Sequence, residues 1–104
     1  MTNARVIRYK TTPESAARNE DLIRDVFAEL AKQNPDGLRY AAFRLADGVS
    51  FLHVAMLDGE QNPLTASAAF AEFQSGIADR CVEGPAPTDA TVIGCYGLLP
   101  EGAP

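Results

Sequence analysis

The chain has 104 residues, 46% of them hydrophobic, and carries 9 Lys+Arg against 14 Asp+Glu for a formal net charge of −5. That length suits one domain over residues 1–104, with a core over about residues 4–97 and a frayed tail at 98–104. It is too short for a barrel of eight βα units or for a nucleotide domain joined to a substrate domain. The acidic balance gives nucleic acid no electrostatic footprint. No apolar run approaches the ~18 to 20 residues of a membrane span, and the first ten residues lack the apolar segment of a secretory signal, so a cytoplasmic protein without membrane contact is expected.

In chain order, Ala4 to Thr11 mixes β-branched, aromatic and charged residues and predicts a first strand. Thr12-Pro13-Glu14 then predicts a helix start: a hydroxyl cap, a proline in the first turn and an acid at the positive dipole end. The helix is expected to reach about Gln33, with Leu22, Ile23, Val26, Phe27 and Leu30 on its apolar face and Arg18, Glu20, Arg24, Asp25, Glu29 and Lys32 opposite. Asn34-Pro35-Asp36-Gly37 stops it. Leu38 to Ala46 and Val49 to Leu57 flank Asp47-Gly48, which predicts a hairpin with a two-residue type I′ turn. That register places Arg44 opposite Phe51, Phe43 opposite Leu52, Ala42 opposite His53 and Tyr40 opposite Ala55.

Cross-strand partners share a face, so the hairpin sorts into two sets. Arg39, Ala41, Phe43 and Leu45 with Ser50, Leu52, Val54 and Met56 form the more apolar one. Leu38, Tyr40, Ala42 and Arg44 with Phe51, His53, Ala55 and Leu57 form a mixed one. The first is expected under the helices, since polar groups buried against an apolar helix stripe would lack partners. After a polar loop at 58–61, Asn62-Pro63 predicts a second helix over Leu64 to Arg80, with Gly76 weakening its last turn. Glu83 to Pro87 reads as a rigid connector and Thr88 to Gly97 as a fourth strand.

The order is β-α-β-β-α-β, an α+β ferredoxin-like arrangement with a four-stranded antiparallel sheet. Two helices cover one sheet face. The other face carries large apolar residues, which predicts a homodimer through that face, closing into a dimeric α+β barrel.

The chain resembles the antibiotic biosynthesis monooxygenase-like branch of the dimeric α+β barrel superfamily over about Val6 to Tyr96. The resemblance is carried by Arg8-Tyr9-Lys10 before the first helix and by the Gly37-Leu38-Arg39-Tyr40-Ala41-Ala42-Phe43-Arg44 strand. Ser67-Ala68-Ala69-Phe70-Ala71-Glu72-Phe73 on the second helix completes it. It implies a homodimer with one pocket per subunit between sheet and helices, and either oxygen-dependent oxidation of aromatic polyketide-like molecules or haem degradation. The departures are Leu57 where relatives often have tryptophan, Ala69 where they often have histidine, and Phe73 or Gln74 where haem-degrading members place an axial histidine. Haem is therefore not expected.

His53, the only histidine, lies between small neighbours at Ala42 and Ala55 and titrates nearest neutrality. It is a candidate general base or hydrogen-bond donor toward a phenol or enol, with Tyr40 as its catalytic partner and Arg44 assisting. Alternatively it is a satisfied structural histidine within the dimer. Arg8, Tyr40 and Arg44 could bind an anionic substrate or serve between subunits. Under the helices, a pocket would be lined by Tyr9, Phe43, Val54, Phe70 and Phe73, or these could be ordinary core. Cys81 and Cys95 lack redox or zinc spacing and read as buried small hydrophobes. No cofactor and no metal is expected, because phosphate-binding and metal-ligand motifs are absent. Two functions fit: a cofactor-independent monooxygenase-like enzyme for a small aromatic or quinone-like molecule, or a non-catalytic binder of a small hydrophobic ligand, or structural dimer, on the same fold.

Overall fold

The computed structural model describes residues 3–59 and 62–96. Its first strand, β1, spans Asn3–Thr11. Thr12 then caps a single 3₁₀ turn at Pro13–Ser15, its side chain accepting the Ser15 N–H, and the chain passes into α1, Ala16–Gln33. Ala16, Asn19, Leu22, Ile23 and Val26 form the buried face of α1. Each aliphatic side chain fully buried there contributes about 1.5–3 kcal/mol. The helix ends as Asn34 turns into the left-handed region at φ 46°, its N–H bonded to the Leu30 carbonyl.

β2, Leu38–Arg44, and β3, Ser50–Leu57, form the predicted hairpin with the predicted register, Arg44 opposite Phe51 through Tyr40 opposite Ala55. The turn itself differs. Gly48 donates to the Leu45 carbonyl, and Gly48 but not Asp47 has positive φ, whereas a type I′ turn needs both. The Asp47 carboxylate is the reason: it accepts from the Val49 and Ser50 N–H groups and the Ser50 hydroxyl, closing the turn through the side chain.

The second helix breaks into pieces. A 3₁₀ turn at Pro63–Ala66 is followed by an extended Ser67, then α2 at Ala68–Ser75 and α3 at Ile77–Arg80. Ser67 causes the first break, because its hydroxyl caps α2 by accepting the Phe70 N–H and itself donates to Glu29 of α1 at 2.6 Å; the second falls at Gly76. Glu29 also accepts the Ala69 N–H at 2.8 Å, so one carboxylate of α1 pins the start of α2. These bonds hold the Glu29 carboxyl below the usual carboxylate range, the Ser67 hydroxyl first.

β4 runs over Cys81–Ala90, earlier than expected, so the Glu83 to Pro87 segment is strand rather than connector and Thr91 to Tyr96 is not strand. Prolines fit because β4 lies at an edge: the antiparallel sheet has the order β2-β3-β1-β4. Of the other expectations, the tail at 98–104 and the second half of the 58–61 loop lie outside the described residues. Cys81 is half-buried and Cys95 exposed, rather than both buried. No helix among the described residues is long and apolar enough to cross a membrane.

All three helices cover one face, and it is the mixed face. The core joins Tyr9, Leu22, Ile23, Val26, Phe51, Leu64 and Phe73, with Leu38, Tyr40 and Ala42 packed against it. The expected face assignment is therefore inverted. The polar groups of the mixed face do have partners: Tyr40 and His53 bond each other, His53 bonds Tyr9 of β1, and Arg44 bonds Glu20 of α1, while buried Asn19 and Arg80 continue the chain from Tyr9 into the helices. Among the described residues no helix covers the more apolar hairpin face: Phe43 is 48% exposed and Ala41, Leu52 and Val54 are half-buried, while Ser50 and Met56 at its ends are buried.

Candidate functional site

Between the sheet and the helices lies a cavity of about 410 Å³. Its floor is Ile7 and Tyr9 of β1, Tyr40 of β2 and His53 of β3, with Phe70 and Phe73 of α2 above. The strand period brings these floor residues together, since Ile7 pairs with His53 and Tyr9 with Phe51 on the same pleat. Tyr9 stacks on Phe51 with centroids 5.4 Å apart, and the His53 ring lies 5.5 Å from that of Phe73.

One hydrogen-bond chain crosses the cavity floor. The Tyr40 hydroxyl is 2.6 Å from His53 Nδ1, and His53 Nε2 is 2.8 Å from the Tyr9 hydroxyl. Asn19 Nδ2 donates to the Tyr9 oxygen at 2.9 Å, and Arg80 Nε donates to Asn19 Oδ1 at 2.9 Å. Arg80, the last residue of α3, also donates to the Phe73 carbonyl and lies over the Phe73 ring. Gly76 leaves room for it: a Cβ there would come within 3.0 Å of Arg80 Nη1.

Burial governs the protonation of this chain. It pushes the His53 imidazole down to about 4, so the ring is neutral at pH 7. Burial likewise raises the Tyr9 phenol to about 12, partly opposed by the Asn19 hydrogen bond, and raises the Tyr40 phenol. A neutral imidazole between two neutral phenols can shuttle a hydrogen bond, or a proton, without introducing a charge at rest.

Of the residues singled out in the sequence, Tyr9, Tyr40, His53, Phe70 and Phe73 meet at this cavity. Phe43 does not, because it points to the bare face. Arg44 lies in a separate, solvent-open groove of about 580 Å³, where it pairs with Glu20 at 2.8 Å and donates to the Gly48 carbonyl. Val54 is also on the bare side, beside Phe43 and Met56. Asn19 and Arg80 also belong to this hydrogen-bond chain, and sequence reasoning does not single them out. Asn19 has a readable signal, since it stands three and four residues before Leu22 and Ile23 and so shares the inward stripe of α1. Among the described residues no group of His, Cys, Asp and Glu could hold a metal ion.

A β2-β3-β1-β4 antiparallel sheet with helices on one face and a cavity between the layers defines the ferredoxin-like α+β class. Solved structures bearing the antibiotic biosynthesis monooxygenase name share that fold. Several are named "putative antibiotic biosynthesis monooxygenase", two of which illustrate the likeness. The one from Bacteriodes thetaiotaomicron VPI-5482 has 16% identity and a TM-score of 0.77 over 96% of each chain. The one from Nitrosomonas europaea has 11% identity and a TM-score of 0.74 over 92% of this chain and 94% of its own. Rv0793 from Mycobacterium tuberculosis superposes with a TM-score of 0.73 at 14% identity, covering 93% of this chain and all of its own. At these identities the likeness is one of fold, and at that level it bears out the resemblance read from the sequence. No protein-family model and no curated protein matches the sequence.

Proposed function

We propose that this chain is a cofactor-independent monooxygenase-like enzyme acting on a small aromatic or quinone-like molecule held between sheet and helices. The observation that carries the reading is the convergence of Tyr9, Tyr40 and His53 on one apolar cavity large enough for a two-ring molecule. In such a site Phe70 and Phe73 hold the ring system, the apolar walls exclude water, and the Tyr40–His53 pair steadies charge on the substrate oxygen. An activated methylene flanked by aromatic rings then reacts with oxygen through its own carbanion: R₂CH₂ and O₂ give R₂C=O and H₂O. The fold shared with structures named for antibiotic biosynthesis monooxygenases supports this chemistry. The Leu57 and Ala69 departures leave His53 and Tyr40 as the polar groups on which it would depend.

A second reading, a non-catalytic binder of a small hydrophobic ligand, is favoured by one observation: both His53 ring nitrogens are already engaged by Tyr9 and Tyr40. Oxygen uptake by the purified protein against a panel of anthrones, naphthols and quinols separates the two. Uptake lost in Tyr40→Phe and His53→Ala supports the enzyme. Saturable binding without uptake supports the binder, and neither uptake nor binding sinks both.

The same reading includes a homodimer through the bare sheet face. Its support is the exposed Phe43 and the half-buried Leu52 and Val54, together with Arg39 Nε, a buried donor lacking a partner among the described residues.

A further inference from the structure

The hydrogen-bond chain under the cavity has a direction, and its far end fixes it. Arg80 has only donors, so the Asn19 atom facing it must be the amide oxygen, and the atom facing Tyr9 must be the amide NH₂. The Tyr9 oxygen therefore accepts from Asn19. Tyr9 is 2% exposed, and the other polar atom bonded to its hydroxyl is His53 Nε2. If Nε2 carried a proton, Tyr9 would accept twice and its own hydroxyl hydrogen would be buried without an acceptor, which is disfavoured. Tyr9 thus donates to Nε2. A neutral imidazole then carries its proton on Nδ1 and donates it to the Tyr40 oxygen. This leaves the Tyr40 hydroxyl hydrogen facing the cavity that Tyr40 lines.

We infer that Asn19 and Arg80 are positioning residues that lock His53 in its Nδ1–H form and so turn Tyr40 into a hydrogen-bond donor, selecting ligands that present a carbonyl oxygen to Tyr40. The inference deepens the proposed function and rests on its placement of the ligand in this cavity. It narrows the substrate from phenol or enol to the keto form, in which the ligand oxygen accepts. Arg80 acts only through Asn19, Tyr9 and His53 and touches no ligand atom in this scheme.

Because the chain has one histidine, [¹⁵N]histidine labelling reports a single imidazole. At pH 7 the wild-type spectrum is expected to show a protonated Nδ1 and a bare Nε2. In Asn19→Asp the introduced carboxylate can only accept, so the Tyr9 hydroxyl turns to it, the imidazole proton moves to Nε2, and the two nitrogen signals exchange character. A wild-type protein with the proton on Nε2, or a folded Asn19→Asp variant with an unchanged pattern, overturns the inference. The second arm needs no Asn19 variant. Wild type should bind 1-tetralone about tenfold tighter than tetralin, the same rings without the carbonyl, and Tyr40→Phe should bind them alike. Absence of that preference in wild type, including failure to bind either, also overturns it. Neither arm measures oxygen uptake: loss of the enzyme reading leaves the tautomer pattern standing, and a reversed tautomer leaves the enzyme reading standing.

Discussion

Neutral His53 inside the cavity floor should make the fold sensitive to mild acid, and the size of the effect follows from its burial. In the unfolded chain the imidazole titrates at its ordinary 6.5, whereas in the folded chain burial holds it down to about 4. Between those values the unfolded state binds the extra proton, so stability is full above about pH 6.5 and falls as pH drops toward 4. A tenfold change in proton affinity corresponds to about 1.4 kcal/mol, so about 2 kcal/mol is lost between pH 7 and pH 5, and about 3 kcal/mol once the pH has passed 4. The carboxylates of Glu20, Glu29 and Asp47, all held low by hydrogen bonds, lose their contribution as pH falls below about 4.5, so they add to the loss near pH 4 but little between pH 7 and pH 5. Urea unfolding followed by far-ultraviolet circular dichroism at pH 7 and pH 5, at one protein concentration, measures the loss. His53→Gln provides the control: it should start less stable at pH 7 but lose only a few tenths of a kcal/mol on going to pH 5. Equal wild-type stability at the two pH values, or a His53→Gln variant that loses as much as wild type, would refute the burial argument.

Three further outcomes are expected. Gly48→Ala should cost about 1–2 kcal/mol in urea unfolding, because φ there is +80° while no atom stands within 4 Å of an added Cβ; the cost is purely that of the left-handed backbone, and Gly48→Asn should recover part of it. Ser67→Ala removes both the cap of α2 and the link to Glu29, and thermal unfolding should register a loss of about 1–2 kcal/mol. Val54→Lys places a charge on the bare sheet face; sedimentation should show wild-type dimer and variant monomer with unchanged circular dichroism, and a wild-type monomer at micromolar concentration would remove the dimer from the proposed function.

What is legible in the sequence is local. The pairing of Arg44 with Phe51 through Tyr40 with Ala55 follows from one short turn and two periodic runs, because a hairpin register depends on few residues. The turn type does not follow, because the Asp47 side chain, rather than the backbone, closes it. The break at Ser67 is hidden because its hydroxyl finds Glu29 38 residues away, a partner that helical periodicity does not display. The same holds for the face assignment. Judged by the hairpin alone, Tyr40 and His53 look too polar for the core; their burial is permitted because they bond each other and His53 bonds Tyr9 of β1, which Asn19 and, behind it, Arg80 in turn satisfy from the helices. Tyr40, His53 and Tyr9 can therefore be named as candidates from the sequence, but not the two residues that orient them.

Pro85 and Pro87 sit in an edge strand, with Pro87 opposite Ile7. Proline offers no N–H, so a further strand laid against the outer rim of β4 would find gaps in its ladder. The ladder that edge could offer is thereby interrupted at two positions. Backbone pairing with a second copy is therefore better served at β2, the opposite edge strand. The prolines that disguise β4 as a connector thus also blunt one edge of the sheet against strand-to-strand association.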